Sequence, residues 1–270
     1  MIDMSELTVE IAGICCQISF DNKDFARLLK HRLDGFFSSR SPNISIKIEF
    51  NNKLSPNSIS PLAVINPVTE VTFKNSRIMM EGSDFAGIFY TATGIGHICQ
   101  PHGVLYPFDS FLRLIYSFYL IKENGFFLHS AAVERRDNGY VFFGPSGSGK
   151  STVAALSAEC CLNDELAVIK KTGATYRVFG TPYWTGENRS VPLRALFSLK
   201  KDRRVALVEL PAGRAVGQLL NSVKSGLADA WFYREIFAVA SGLLEKVPCY
   251  DMHFLPDNSF WPHVDEVCRQ

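Results

Sequence analysis

No run of about 18 uninterrupted apolar residues occurs in the 270-residue chain, which argues against a membrane-spanning helix. The longest candidate, residues 108–121, is broken by Asp109 and Arg113. An excess of charge of either sign is also missing. Lys and Arg number 28 against 27 Asp and Glu, a formal net charge of +1. That balance argues against a nucleic-acid binder working by bulk charge and against a polybasic membrane anchor. No CxxC spacing occurs. The seven cysteines are odd in number, and Cys15-Cys16 and Cys160-Cys161 are adjacent pairs poorly spaced for a bridge within either pair. Reduced, mostly buried thiols in a cytoplasmic protein are the expectation. Asp3, Glu6 and Glu10 stand where a secretory signal would carry basic residues, so the segment does not read as one. What is abundant is apolar: 47% of residues against 20% charged, which excludes a mainly disordered chain. The length suits one large domain or two modest ones.

Residues 1 to about 105 read as a small α+β unit. Residues 44–50 alternate, with Ile44, Ile46, Ile48 and Phe50 on one face, the pattern of a half-buried strand. Residues 8–20 are also strand-like, with Ile14, Cys16, Ile18 and Phe20 sharing one parity. Between them Phe25, Leu28, Leu29, Leu33 and Phe36 recur at helical steps, with Asp21 or Asn22 as N-cap and Gly35 near the end. Residues 51–67, rich in Asn, Ser and Pro, read as a loop. Residues 71–73 and 78–80 flank a hairpin turn. The strand at 44–50 is expected to offer an edge that an extended peptide joins by strand addition.

From about residue 106 onward the pattern changes. Phe108, Phe111, Leu112, Ile115 and Tyr119 mark a buried helix opened by Pro107 and ended by Asn124-Gly125. A strand over 126–133 follows, then a hairpin in which Asn138-Gly139 is expected to supply the two positive φ angles, then a return strand over 140–143. That strand runs into Gly144, Pro145, Ser146, Gly147, Ser148, Gly149, Lys150 and Ser151, with Thr152 next. This is a complete GxxxxGK[ST] phosphate-binding pattern. Each part has a chemical reason. The glycines let successive backbone N–H groups turn inward around a phosphate. A helix from Lys150 to about 159 aims its positive end at the same anion. Lys150 reaches the terminal phosphates of ATP, and Ser151 offers its hydroxyl to Mg²⁺. Fourteen residues beyond Lys150 comes Asn163-Asp164-Glu165, opening a strand over 166–169 that folds onto 175–179. Two neighbouring carboxylates beside a triphosphate can divide two tasks, one holding Mg²⁺ and one accepting the proton of an attacking hydroxyl.

From residue 126 to about 220 the chain resembles the C-terminal catalytic domain of HPr kinase/phosphorylase, in the P-loop group of ATP-dependent phosphoenolpyruvate carboxykinase. The resemblance rests on Leu128-His129-Ser130, the phosphate loop, and Leu162 to Leu166. The segments 180–187, 191–197 and 250–261 look like a narrower branch found beside peptide-modification systems, including lasso-peptide kinases and SynChlorMet cassette proteins. The resemblance implies an α/β fold: a P-loop domain of that type with a mixed β-sheet over 106–270, preceded by the α+β unit of 1–105. It implies Asp164 as catalytic base, Glu165 assisting or binding metal, and His129 close to the transferred phosphate or the acceptor. Glu187 would help Ser151 and Asp164 hold Mg²⁺. Ser130 replaces a usual Gly, and Glu165 replaces the second Asp of the family's pair. No motif of the resemblance covers residues 1–105.

The implied activity is an ATP- and Mg²⁺-dependent serine kinase acting on a hydroxyl of a peptide or protein. A nucleotide switch or ATPase without an acceptor, and a small-molecule kinase, are the alternatives. The expected partners are a polypeptide substrate and a possible second copy of the chain, with no nucleic acid and no membrane. Strands are also expected at 196–199 and 205–208, joined by the basic turn 200–204, and helices at 211–222 and 228–246.

Overall fold

The computed structural model describes residues 5–51, 69–157, 161–183 and 186–268. The loop expected over 51–67 lies outside them except for Asn51, which is the last residue of a strand, and Cys160 and Trp184 lie outside them too. The chain divides into two compact units: residues 1–119 with 225–229, and residues 120–224 with 230–270.

The first unit is built from β1 (Ser5–Ile11), β2 (Ile14–Phe20), α1 (Lys23–Arg32), β3 (Ile44–Asn51), β4 (Glu70–Lys74), β5 (Arg77–Glu81), β6 (Ala86–Tyr90), β7 (Ile95–Pro101) and most of α2 (Tyr106–Lys122). Its seven strands form one mixed sheet in the order β1-β2-β3-β7-β6-β5-β4. Residues 8–20 are two strands, not one. Ala12 (φ 52) and Gly13 (φ 84) make a tight turn between them, and apolar residues are buried on both sides of it, so alternation alone hides the reversal. Helix α1 starts where expected: Asn22 Oδ1 accepts the Phe25 N–H at 2.9 Å, and Phe25 and Leu29 face the core. The edge expected at 44–50 is overturned. β3 pairs in parallel with β2 on one side and β7 on the other, so its main-chain groups are already bonded in the sheet interior. Ile44, Ile46 and Ile48 are buried, as their alternation requires, and Phe50 is half-buried. Among the described residues the sheet's edges are β1 and β4.

The second unit contains β8 (Gly125–Arg135), β9 (Asn138–Phe143), α3 (Lys150–Leu156), β10 (Cys161–Asn163), β11 (Leu166–Thr172), β12 (Thr175–Phe179), β13 (Ser190–Lys201), β14 (Ala206–Glu209), α4 (Ala212–Leu220), α5 (Ala230–Leu244), β15 (Cys249–Phe254) and α6 (Phe260–Val267). Two long strands organise it. The first half of β8 pairs with β11 and the second half with β9. The start of β13 pairs with β12, and its later part with β9 and β15. The ladder β8-β11-β12-β13-β9 therefore closes on itself, while β9, β13 and β15 run parallel beside one another. On that parallel face Phe142 stacks on Phe197 at 5.0 Å between ring centres and Phe197 on Tyr250 at 5.7 Å. The result is a mixed α/β protein with two mixed sheets.

Two local expectations differ from the structure: the β8–β9 turn and the end of α3. The hairpin between β8 and β9 turns on Arg136 (φ 52) and Asp137 (φ 61), whereas Asn138 and Gly139 are already in the ladder opposite Arg135 and Glu134. Gly139 serves close approach instead: a Cβ there would stand 2.4 Å from Val178 Cγ1. The strands expected at 196–199 and 205–208 are present within β13 and as β14, and β15 lies between them in the sheet. Helix α3 ends at Leu156, earlier than expected, with Ser157 Oγ donating back to Val153 O at 2.6 Å.

Candidate active site

The glycine-rich loop leaves the end of β9, whose residues 139–143 are all buried, and enters α3 at Lys150. Gly149 is held at φ +108, a conformation L side chains rarely adopt, and a Cβ there would meet the Phe254 ring at 2.6 Å. The loop is thus braced on the end of β15, and only glycine fits the brace. Within it Ser148 N–H donates to Pro145 O at 3.1 Å. Lys150 folds back over the same loop, its Nζ donating to Gly144 O at 3.0 Å and Pro145 O at 3.2 Å. The side chain is 7% exposed, and burial, the largest influence on its ammonium, pulls the pKa below the usual lysine range. Ser148 Oγ is buried without a hydrogen-bond partner among the described residues, an uncommon state for a hydroxyl. Ser151 is exposed at the start of α3, and Thr152 is half-buried.

His129 sits where β8 changes partners. It is the last residue paired with β11, opposite Leu166, while Ser130 is the first paired with β9, opposite Phe143. This one position therefore adjoins both the residue before the glycine-rich loop and the residue after Glu165. Ser130 N–H donates to Glu165 O at 3.2 Å, and His129 Nε2 lies 3.4 Å from Glu165 Oε1. Burial, then the charge of Lys150, lowers the His129 pKa from the ordinary histidine value; the Glu165 carboxylate opposes both. Burial and the neighbouring lysine thus favour the neutral imidazole over the charged one. Lys224 joins this group, its charge acting on both His129 and Lys150. The segment carrying it is laid along β8: His129 N–H donates to Ser222 O at 2.8 Å and Lys224 N–H to Phe127 O at 3.0 Å. No sequence pattern singled out Lys224, because its place depends on a main-chain pairing with a strand far away along the chain.

The carboxylate pair is presented by Asn163, which is fully buried. Its Oδ1 accepts the N–H groups of Glu165 (2.9 Å) and Leu166, while its Nδ2 donates to Thr181 O at 3.1 Å and Tyr183 O at 2.9 Å. Asp164 and Glu165 thus occupy a turn clamped to Thr181 and Tyr183; Asp164 is half-buried and Glu165 exposed. Glu187 N–H donates to Leu162 O at 3.1 Å, and its exposed carboxylate lies 3.3 Å from Arg189 Nε. The structure therefore gathers His129, Glu165, Lys150 and Lys224, and pairs Glu187 with Arg189. Asn163→Leu keeps the volume but strands two N–H groups and two carbonyls, so we expect a loss of about 2–4 kcal/mol in unfolding free energy, at the level of one or two unpaired buried groups. Denaturant titration checks it; a parent-like midpoint would show that the clamp contributes nothing.

Fold and site together define a mixed α/β protein whose second unit carries a glycine-rich loop between a buried strand and a helix, beside a histidine–carboxylate pair. A family model for SynChlorMet cassette protein ScmC matches residues 108–269, more than half of the chain, and the chain belongs to that family. No curated protein matches it. Among the described residues no helix is long and apolar enough to cross a membrane.

Proposed function

We propose that the chain is an ATP- and Mg²⁺-dependent kinase that transfers the γ-phosphoryl group to a hydroxyl, a serine of a peptide or protein, and that the second unit is an HPr-kinase-like P-loop domain working in the cytoplasm. The observation that carries this is the convergence of a buried lysine, seated on a glycine-rich loop, with the His129–Glu165 pair. The residues fit a bound nucleotide. Ser148 Oγ is a buried donor lacking a partner among the described residues, Gly149 adopts a backbone conformation that L side chains rarely reach, and the Lys150 ammonium lies against the loop's own backbone. Loop N–H groups from Gly147 to Ser151 would hold the phosphates, with Lys150 at the terminal ones. Bound Mg-ATP supplies the phosphoryl group and neutralises its charge. Ser151 and Asp164 are the proposed Mg²⁺ contacts on the protein, with Glu187 as a further one. Magnesium takes few protein ligands and keeps water and phosphate oxygens. Among the described residues no three His, Cys, Asp or Glu side chains cluster as a metal site by themselves.

Asp164 accepts the proton of the attacking hydroxyl, Glu165 orients His129, and the two lysines offset negative charge on the phosphates. The test is direct. With γ-labelled ATP, Mg²⁺ and serine-containing peptides, label is expected on peptide. Label on a metabolite alone, or free phosphate released only with a partner protein present, would replace this function by small-molecule phosphorylation or by a switch.

A further inference from the structure

Next to the glycine-rich loop lies a cavity of about 450 Å³ at the carboxyl ends of the parallel strands β9 and β13. Open α/β sheets commonly bind ligands at such strand ends. Phe143 and Leu199 give it apolar walls, Gly144 and Pro145 form its boundary with the loop, and the end of α4 supplies Gln218 with Asn221 and Ser222 just beyond. Taking the kinase function above as its basis, we infer that this cavity is the acceptor subsite, that it takes an uncharged peptide segment with an apolar residue beside the reacting serine, and that Gln218 reads one main-chain N–H of that segment.

Three features carry this. The first is position. Gly144 and Pro145 are the two residues whose carbonyls hold the Lys150 ammonium, and that ammonium marks the terminal-phosphate end of such a loop. A cavity opening there faces the transferred phosphate, not the distant nucleobase. Ser222 connects it to the other half of the site, since its carbonyl accepts the His129 N–H at 2.8 Å. The second is charge. The cation in the wall, Lys200, is held by the buried Asp251 carboxylate at 2.5 Å, so the cavity is not built for an anion. A hydroxyl-bearing ligand without its own charge suits it better than an organic acid or a phosphate ester. The third is Gln218. The residue lines the cavity, and its Oε1 has no hydrogen-bond partner among the described residues, so a rotation of the amide toward the cavity would give that acceptor a ligand N–H. A peptide backbone offers one N–H per residue, with side chains on either side to fill apolar walls.

The experiment uses the full chain and a serine peptide that it labels. Gln218→Leu removes the acceptor atom while keeping the size of the side chain. KM for the peptide is expected to rise about tenfold, the worth of about 1.4 kcal/mol, with kcat near the parent value and ATP affinity by calorimetry within about twofold. A series of peptides, each N-methylated at one backbone position near the serine, provides the second measurement. One methyl should raise KM for the parent enzyme by a similar factor and have no effect on Gln218→Leu, because both changes remove the same bond. An unchanged peptide KM in Gln218→Leu overturns the subsite assignment alone. A loss of ATP affinity with peptide KM unchanged would make the cavity a nucleobase pocket. If the parent chain labels no peptide at all, the kinase function and this inference fall together.

Discussion

Lys150→Ala is expected to weaken Mg-ATP binding roughly 10- to 150-fold, the equivalent of about 1.5–3 kcal/mol for a charge-assisted hydrogen bond. The lysine is nearly enclosed and sits on the carbonyls of Gly144 and Pro145, so its ammonium is confined before any ligand arrives. Little side-chain freedom remains to be lost on binding, which places the expected effect toward the upper end of the range. Lys150→Arg should not rescue it, because the guanidinium fork is larger and planar and the pocket leaves 7% of the residue exposed. Calorimetry on the full chain decides the matter: an ATP affinity equal to the parent's in Lys150→Ala would remove the nucleotide from the proposed site. Binding should also raise the melting temperature of the parent chain, since only the folded state presents the loop.

Asp164→Asn is expected to reduce phosphoryl transfer by about 10²–10⁴-fold, the usual contribution of a positioned base, while ATP still binds through the loop amides and Lys150, with its Mg²⁺ held less tightly because Asp164 is also a proposed Mg²⁺ contact. The amide keeps the shape of the turn clamped by Asn163 and loses only proton acceptance and negative charge. Glu165→Gln is the informative control. Its carboxylate is the group 3.4 Å from His129 Nε2, and it opposes the effect of burial and Lys150 on that imidazole. Removing the charge should push the His129 pKa further down, leaving a neutral ring over a wider pH range. A transfer rate in Asp164→Asn equal to the parent's would move the base to Glu165 or His129. A drop in Glu165→Gln that is larger than in Asp164→Asn would make Glu165 the principal carboxylate.

The features legible along the chain are those encoded by neighbouring residues. The phosphate-loop pattern at 144–151 lies between a buried strand and a helix because apolar residues precede it and helix formers follow. Asn22 caps α1 because its side chain is three residues from the N–H it accepts. The β11–β12 hairpin and the helices α4 and α5 likewise follow from local period and turn residues. Where two signals coincided, local evidence failed. The Asn138-Gly139 pair looked like the turn, yet Gly139 is required for approach to Val178, a residue on another strand. The run 8–20 concealed a reversal because apolar residues line both of its arms.

Which strands lie side by side was decided only by tertiary structure. Strand 44–50 has the alternation of a half-buried strand whether it lies at an edge or in the interior, since period 2 describes faces and not neighbours. Its burial between β2 and β7 is a non-local outcome. The same holds for the candidate site. His129, Glu165, Lys150 and Lys224 lie on separate elements, and no spacing along the chain gives the contact between His129 and Glu165 or the place of Lys224. They meet because β8 changes partners between His129 and Ser130, and because residues 222–224 hydrogen-bond along it. The sequence by itself determined the loop, its lysine and the carboxylate pair, through contacts a few residues long. The folded sheet decided which second lysine stands beside them and how His129, named by the resemblance, meets Glu165, because main-chain pairing between distant strands, and not local propensity, sets those distances.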